Sequence, residues 1–302
     1  MGVCSLQIRW PVVLMYHGVI PKTPDYNPVD LGVVFQNEFE CQLKRLKKSF
    51  LVLHPDEFID YFIRGLPYPK SSVLITIDDG YQNILDFALP VAESYELPIM
   101  AFVATGHMDE DKWLWFSRIK AGQLRNTNPS VPTVQSLEKL MISEIEAVLD
   151  DAGAPQYGNG NNFEHMMFDG MDRARLANAA KSKYFTVGGH TIRHPRLVNE
   201  TPEVRTYEII ENKLTLEEIV KKPVNCFAYP QGIHNDTVIQ DVRRAGYLAA
   251  FACEFPQETV LSEAEQFVIP RTGVYRPGGF WFWYVSHPMG RFIKAAKHDL
   301  FG

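Results

Sequence analysis

Short apolar runs alternate with amphipathic stretches along most of this 302-residue chain. The apolar runs, rich in β-branched residues, predict strands at 12–16, 50–53, 73–77, 99–104, 184–187, 224–228, 248–251 and 267–269. The amphipathic stretches predict helices at 37–48, 56–63, 84–95, 136–149, 172–181, 202–221 and 235–245. Strands that alternate with helices indicate an α/β fold with a mainly parallel sheet. Seven or eight such units favour a closed barrel over an open sheet.

The segment at about 106–182 departs from this alternation. It carries the aromatic cluster Trp113-Leu114-Trp115-Phe116, then polar stretches, then a run rich in glycine, proline and asparagine at 151–162. We interpret it as a partly helical insertion between two units of a single barrel domain that spans 1–302. It forms either a lid or wall beside a substrate cleft or a passive surface excursion, and the sequence leaves both open.

The composition narrows the choice of partner and compartment. A formal net charge of -6 argues against nucleic acid or an anionic membrane as the main partner. The four cysteines are too far apart for a CxxC motif, and scattered thiols fit an intracellular protein. Neither a signal peptide nor an apolar run of membrane-spanning length is evident. We therefore expect a cytoplasmic protein without an integral membrane segment.

Two adjacent carboxylates, Asp78 and Asp79, follow the strand predicted at 73–77. Because neighbouring strand residues point to opposite faces, one carboxylate can bind a metal while the other remains a free base. Asp-Gly after a strand is also a common turn signal. A second pair, His190 and His194, follows another predicted strand and favours the metal site. Barrel enzymes place their catalytic residues at such strand ends.

Three further residues near predicted strand ends are candidates for the same site. His17 follows the first strand, and an imidazole that titrates near neutrality can donate or accept a proton. Tyr229 lies in the turn Ala228-Tyr229-Pro230-Gln231-Gly232, which can aim a backbone N–H at an oxyanion. Arg271 ends the last predicted strand and can pair with a catalytic carboxylate. Each residue also has an ordinary structural explanation when it is considered alone.

Three of these motifs, taken in order, resemble those of a known family. Thr76-Ile77-Asp78-Asp79-Gly80 is similar to the T-F-D-D-G motif of the polysaccharide deacetylases, the NodB-homology group of carbohydrate esterase family four. His190-Thr191-Ile192-Arg193-His194 matches that family's H-S/T-x-x-H motif, and the turn that contains Tyr229 resembles its third motif. The resemblance covers roughly 12–274.

The resemblance implies a distorted (β/α)₇ barrel with a metal held by Asp79, His190 and His194, and with Asp78 as the general base. Family members remove N- or O-acetyl groups from amino-sugar polymers such as chitin, peptidoglycan or poly-N-acetylglucosamine. We expect zinc, although two imidazoles and one carboxylate also suit Co²⁺, Ni²⁺ or Fe²⁺. The expected partner is an N-acetylated sugar, an oligosaccharide or a lipid-linked glycan.

The chain departs from the family pattern at two positions. Ala228 stands where the third motif usually has an arginine that supports the base, and Arg271 is our candidate replacement. The usual catalytic histidine lies near the C-terminus, but His287 does not follow a comparable strand. Some bacterial members that resemble exopolysaccharide deacetylases carry it in an N-terminal L-M-Y-H segment, which Leu14-Met15-Tyr16-His17 matches. His17 is therefore our expected proton donor, ahead of His287.

These observations predict a metal-dependent carbohydrate deacetylase that attacks an N-acetyl or O-acetyl group with activated water. A first alternative is another C–N hydrolase on the same scaffold, either a deformylase of lipid-linked aminosugars or a cyclic amide or imide hydrolase. A second alternative is a sugar-binding barrel without catalysis, which the alanine at 228 keeps open.

Overall fold

Seven parallel strands form the closed barrel that carries the site. The computed structural model describes residues 11–23, 32–109, 112–125, 131–158, 162–253 and 266–274. Its ten strands are β1 (Val12–Tyr16), β2 (Val19–Ile20), β3 (Val34–Phe35), β4 (Leu51–Val52), β5 (Ser72–Ile77), β6 (Ile99–Val103), β7 (Phe185–Gly189), β8 (Cys226–Ala228), β9 (Ala249–Cys253) and β10 (Ile269–Gly273).

The ring closes because β1 pairs with both β5 and β10. From β5 the order then runs through β6, β7, β8 and β9 to β10, and every one of these pairings is parallel. The short strand β4 lies outside the ring and pairs with the first residues of β5. The strands β2 and β3 form a separate parallel pair. The prediction of a distorted (β/α)₇ barrel is confirmed.

Helices surround the barrel, and several of them connect successive strands. They are α1 (Gln36–Ser49), α2 (Pro55–Ile63), α3 (Leu89–Ser94), α4 (Trp115–Arg125), α5 (Val134–Leu137), α6 (Ile142–Asp151), α7 (Asn162–Phe168), α8 (Arg173–Ala179), α9 (Pro202–Val220) and α10 (Asp236–Arg244). A π-helical turn (Ile84–Ala88) precedes α3, and 3₁₀ turns occupy Leu197–Asn199 and Pro230–Gly232. Among the described residues, the five helices α4 to α8 lie between β6 and β7, where we predicted the insertion.

Alternating strand residues supply two separate apolar layers. Val13 belongs to a cluster shared with Phe102 and Phe251, whereas its neighbours Val12 and Leu14 belong to the larger layer that packs against helices such as α1. This alternation is the period of two that a strand imposes on its side chains. Phe58 of α2 joins the smaller cluster, with its ring centroid 5.8 Å from that of Phe251.

The helix predicted at 136–149 and the last predicted strand differ most from the observed bounds. The helix predicted at 136–149 is divided, because a second helix, α6, begins at Ile142. The carboxylate of Glu144 accepts the Met141 N–H at 2.8 Å, and that of Glu200 accepts the Ile142 N–H at 2.7 Å. These bonds satisfy N–H groups that open a new helix.

The last strand was predicted to end at 269 and instead begins there. Pro270 lacks an N–H, but the strand continues beyond it because Leu14 pairs with Thr272 across the closing seam of the barrel. Arg271 therefore lies within β10, not after it. His287 lies outside the described residues. Within the described part of the chain, no helix combines the length and apolar character that crossing a membrane requires.

Candidate active site

One cavity of about 310 Å³ opens beside the carboxyl ends of the barrel strands. Five of the residues selected from the sequence line it: His17 after β1, Asp78 and Asp79 after β5, and His190 and His194 after β7. Parallel strands that all run in one direction bring their following loops to the same end of the barrel. The fold thus brings together residues that are far apart in the sequence.

Asp79, His190 and His194 offer three ligand atoms that all lie within 4.8 Å of one another. Asp79 Oδ1 is 3.5 Å from His190 Nε2 and 3.6 Å from His194 Nε2. Tetrahedral zinc with bonds of about 2.0–2.1 Å places its ligand atoms about 3.4 Å apart. All three residues are buried. The donor types and their spacing therefore fit a divalent metal, and three protein ligands leave a position open for water or substrate.

The loops that carry these ligands have unusual backbone conformations. Asp79 has φ 73° and His194 has φ 59°, both in the left-handed region that non-glycine residues rarely adopt. A ring nitrogen of His107, Nε2, lies 2.9 Å from the carbonyl oxygen of Asp79. At Gly80, which follows with φ 80°, a Cβ atom would lie 2.7 Å from Val103. The Asp-Gly sequence thus forms a tight turn as well as presenting a carboxylate.

The two imidazoles differ in what surrounds their second nitrogen. His190 Nδ1 lies 2.8 Å from the carbonyl oxygen of Ala228, so it carries the proton and leaves the Nε2 lone pair towards Asp79. His194 Nδ1 is buried and has no hydrogen-bond partner among the described residues. Burial, reinforced by the neighbouring His190, lowers the pKa of His194 to about 3. A neutral ring is the form that binds a metal.

Asp78 is held by Arg271 through two hydrogen bonds. Arg271 Nη1 donates to Asp78 Oδ1 at 2.6 Å, and Nη2 donates to Oδ2 at 2.7 Å. Both side chains are almost fully buried, with exposed fractions of 0% for Arg271 and 3% for Asp78. Burial alone raises the pKa of the Asp78 carboxyl, but the guanidinium of Arg271, with help from His190, outweighs burial and lowers it. Asp78 is therefore held in its ionised form.

His17 lines the same cavity from the end of β1, the strand next to β5. Tyr16 pairs with Ile77 in that ladder, and Tyr16 O accepts the N–H of Asp78 at 2.8 Å. This register brings His17, the next residue, alongside the acidic pair. Burial lowers the pKa of His17, while the charges of Asp79 and Asp78 oppose the shift.

Tyr229 does not supply the free backbone N–H that we expected. Its N–H donates to the carbonyl oxygen of Phe251 at 3.0 Å, which extends the β8–β9 ladder by one residue. An N–H held in a ladder cannot turn to an oxyanion. The cavity-lining residue in this turn is Gln231, which has φ 56°.

Sequence reasoning missed several residues that shape the site. Lys120 of α4 lines the cavity from the inserted segment, and burial lowers its pKa while Asp79 opposes the shift. Asn212 of α9 is fully buried; its Oδ1 accepts the His190 N–H at 3.0 Å, and its Nδ2 donates to Val103 O at 3.0 Å. Both lie on helices whose polar residues usually face solvent, so the sequence pattern alone gave no signal.

The family model and the curated relatives that match this chain are both polysaccharide deacetylases. The polysaccharide deacetylase family model matches residues 65–250. The poly-beta-1,6-N-acetyl-D-glucosamine N-deacetylase of Staphylococcus aureus strain MSSA476 is 25% identical over 241 residues, which cover 79% of this chain and 66% of that protein. The enzyme of the same name from Staphylococcus epidermidis is 25% identical over 272 residues, covering 86% and 77% respectively. The chain spans just under two thirds of the S. aureus relative.

Solved structures share the fold. Superposition on the Streptococcus pyogenes deacetylase PplD gives a TM-score of 0.59 at 20% identity, covering 87% of this chain and 92% of the other. IcaB from Ammonifex degensii gives 0.61 at 19% identity, covering 91% and 94%. The family match includes the Asp78–Asp79 and His190–His194 motifs and extends over more than half of the chain. The chain belongs to the polysaccharide deacetylase family.

Proposed function

We propose that this protein is a metal-dependent hydrolase that removes N-acetyl groups from an amino-sugar glycan. The observation that carries the proposal is that one cavity unites two arrangements: the Asp79, His190 and His194 set, and a buried carboxylate held by Arg271. A structural metal site would be closed by a fourth protein ligand and would need no separate ionised carboxylate beside it.

Zinc is the metal we propose, on the basis of its tetrahedral preference and the two imidazoles. Zinc held by Asp79, His190 and His194 would lower the pKa of a bound water towards about 7 and would polarise the acetyl carbonyl. Cobalt, nickel or iron(II) suits the same donors. Activity with each of these ions in turn identifies the metal.

The chain's own residues divide the proton transfers between them. Asp78 accepts the proton of the attacking water, and Arg271 keeps that carboxylate ionised and fixed in direction. Each carboxylate oxygen has a second lone pair, so the two bonds from Arg271 do not block the base. In its protonated form, which the charges of Asp79 and Asp78 favour against burial, His17 donates a proton to the departing amine, without which an amide nitrogen leaves poorly. The backbone N–H of Gln231 replaces that of Tyr229 as our candidate oxyanion donor.

The substrate that we propose is a polymer or oligomer of N-acetylglucosamine. The reported Staphylococcus relatives are named for poly-beta-1,6-N-acetyl-D-glucosamine, so a β-1,6-linked chain is the first substrate to test. The lipid-linked glycan expected from the sequence has no support among these relatives. The cytoplasmic location also stays a prediction.

The test measures acetate release from N-acetylated substrates that range from the monosaccharide to the β-1,6 and β-1,4 polymers. Each is assayed with protein stripped by a chelator and again after Zn²⁺, Co²⁺, Ni²⁺ or Fe²⁺ is restored. We expect acetate only with metal, and Asp78→Asn should retain the metal yet lose about 10²-fold or more in turnover. Full activity of the stripped protein would overturn the proposal.

The same assay separates the alternatives. Formate as the product would indicate a deformylase, and a ring-opened acid from a cyclic imide would indicate an imide hydrolase. Sugar binding without product, in protein that holds no metal, would indicate a non-catalytic sugar-binding barrel.

A further inference from the structure

The inserted helix α4 contacts both loops that carry the proposed metal ligands. Trp115 Nε1 donates to the carbonyl oxygen of His194 at 3.0 Å. Two residues later, the Ser117 hydroxyl lies 2.7 Å from the Tyr81 hydroxyl, and Tyr81 follows Asp79 by two residues. A single helical turn therefore spans the acidic loop after β5 and the histidine loop after β7.

His194 needs such support more than His190 does. The outer nitrogen of a metal-binding histidine usually donates to a carboxylate, a carbonyl or a water, which fixes the ring. His190 has this bond, to Ala228 O, but His194 Nδ1 has no partner among the described residues. Instead, the ring of Phe116 lies edge-on to the His194 ring, with centroids 4.8 Å apart and planes at 61°.

The backbone conformation of His194 also requires support from neighbouring residues. Its φ of 59° is one that non-glycine residues adopt at a cost and keep only where the surroundings impose it. The Thr191 hydroxyl accepts its N–H at 3.1 Å, and Trp115 holds its carbonyl oxygen. The two ends of this strained residue are thus fixed by different elements, one of them α4.

The helix itself is firmly anchored away from the cavity. Arg118 of α4 is 1% exposed and donates to Asp150 Oδ1 at 2.6 Å and to Pro155 O at 3.1 Å. These bonds join α4 to the end of α6 and to the loop that follows it. A support can position a ligand only when it is more rigid than the ligand, and this anchoring provides that rigidity.

We propose that α4 positions the metal ligands, with Trp115 and Phe116 replacing the missing outer hydrogen bond of His194. The inference rests on the metal site of the proposed function and assigns part of that site to the inserted segment. Trp115 is a positioning residue: it acts through His194 and does not line the cavity, whereas Phe116 both lines the cavity and packs on the ligand.

Two tryptophans of the same segment give a matched test. Trp115→Phe removes the N–H that holds His194, while Trp113→Phe removes an N–H that donates to Asp169 Oδ1 at 2.8 Å, outside the metal site. Both indoles are buried, with exposed fractions of 3% and 4%. We expect Trp115→Phe to raise the Kd for Zn²⁺ about 10-fold or more, as outer contacts of metal ligands do. Trp113→Phe should change the Kd for Zn²⁺ by no more than about twofold, because its N–H does not contact a proposed metal ligand.

Metal affinity is measured by competition with a chromophoric chelator, and site geometry by the absorption spectrum of the Co²⁺-loaded protein. Thermal unfolding of the metal-free variants serves as the control for general damage. We expect similar unfolding midpoints for the two variants and an altered Co²⁺ spectrum for Trp115→Phe alone. Equal Zn²⁺ affinity in the two variants would overturn the proposal.

A second pair of variants applies if Trp115→Phe does not fold. Phe116→Leu removes the ring that packs on His194, and Ser117→Ala removes the link to Tyr81. We expect Phe116→Leu to weaken Zn²⁺ binding more than Trp113→Phe does, and no such difference would refute the inference. Failure of the proposed function is seen separately, as wild-type protein that binds Zn²⁺ in the same assay but releases no acetate.

Discussion

Arg271 places a positive charge beside Asp78, which Ala228 cannot do. Ala228 lies in the smaller apolar cluster, with Phe102 and Phe251, and its carbonyl oxygen accepts a hydrogen bond from His190 Nδ1. The guanidinium instead extends from β10, donates to both oxygens of Asp78 and lies with its Cζ 5.2 Å from the centre of the Phe102 ring. A buried carboxylate without such a partner is costly, so Arg271 stabilises the ionised form of Asp78.

Removing this arginine should affect stability as well as turnover. We predict that Arg271→Met lowers the free energy of unfolding by about 3–5 kcal/mol, because it leaves Asp78 buried and uncompensated. Denaturant unfolding of the metal-free protein measures the loss. The double variant Asp78→Asn/Arg271→Met should recover part of it, since the two side chains are coupled. Strictly additive losses would show that the two residues do not interact energetically.

Among the elements, α9 links the strand ends to the histidine loop through its polar residues. Glu208 is fully buried and accepts the backbone N–H groups of Ile192 at 2.8 Å and Arg193 at 2.9 Å. Asn212, one turn further on, holds His190 N–H and Thr191 O. The sequence predicted this helix correctly at 202–221. Polar residues of a helix usually face solvent. Here Glu208 and Asn212 instead form hydrogen bonds with backbone groups of the loop that carries the proposed metal ligands.

We predict that Asn212→Leu weakens Zn²⁺ binding as well as the fold. The substitution leaves several buried backbone groups without partners, at about 1–3 kcal/mol each. Asn199→Leu is a suitable control, because Asn199 Nδ2 donates to Glu138 O at 2.9 Å and to Leu140 O at 3.3 Å, outside the His190–His194 loop. Unfolding experiments should show losses for both variants, and chelator competition should show a loss of affinity for Asn212→Leu only. An equal Zn²⁺ affinity in both would contradict the role given to α9.

For the molecule as a whole, the ring of strands explains which parts the sequence could predict. The alternation and number of strands and helices predicted the barrel, and each chemical motif followed a predicted strand, so Asp78, Asp79, His190 and His194 could be expected at one end. The sequence could not predict contacts made over long separations. The ladder bond that occupies the Tyr229 N–H, the second helix start at Ile142 and the contacts of α4 with His194 all depend on packing.

A metal that links the ends of β5 and β7 should stabilise the entire barrel. Free Zn²⁺ at about 100 times its Kd adds about 2.7 kcal/mol to the free energy of unfolding. We predict a higher Tm with Zn²⁺ than with chelator, and no difference for Asp79→Ala, which lacks one ligand. Scanning calorimetry at several Zn²⁺ concentrations measures both. A Zn²⁺-dependent rise in the Tm of Asp79→Ala as large as that of the wild type would contradict the assignment of this ligand set.

The pairing of Asp78 with Arg271 also determines the order in which parts of the proposed site can form during synthesis. The two residues are 193 positions apart, and β10 closes the ring against β1. During synthesis, Asp78 emerges from the ribosome long before Arg271. The strand β1 can pair with β5 early, but it can pair with β10 only after β10 has been synthesised. A nascent chain therefore carries its whole proposed metal-binding set before it can hold the base beside that set. The residues that would bind the metal are complete first, and those that would move the proton are complete last.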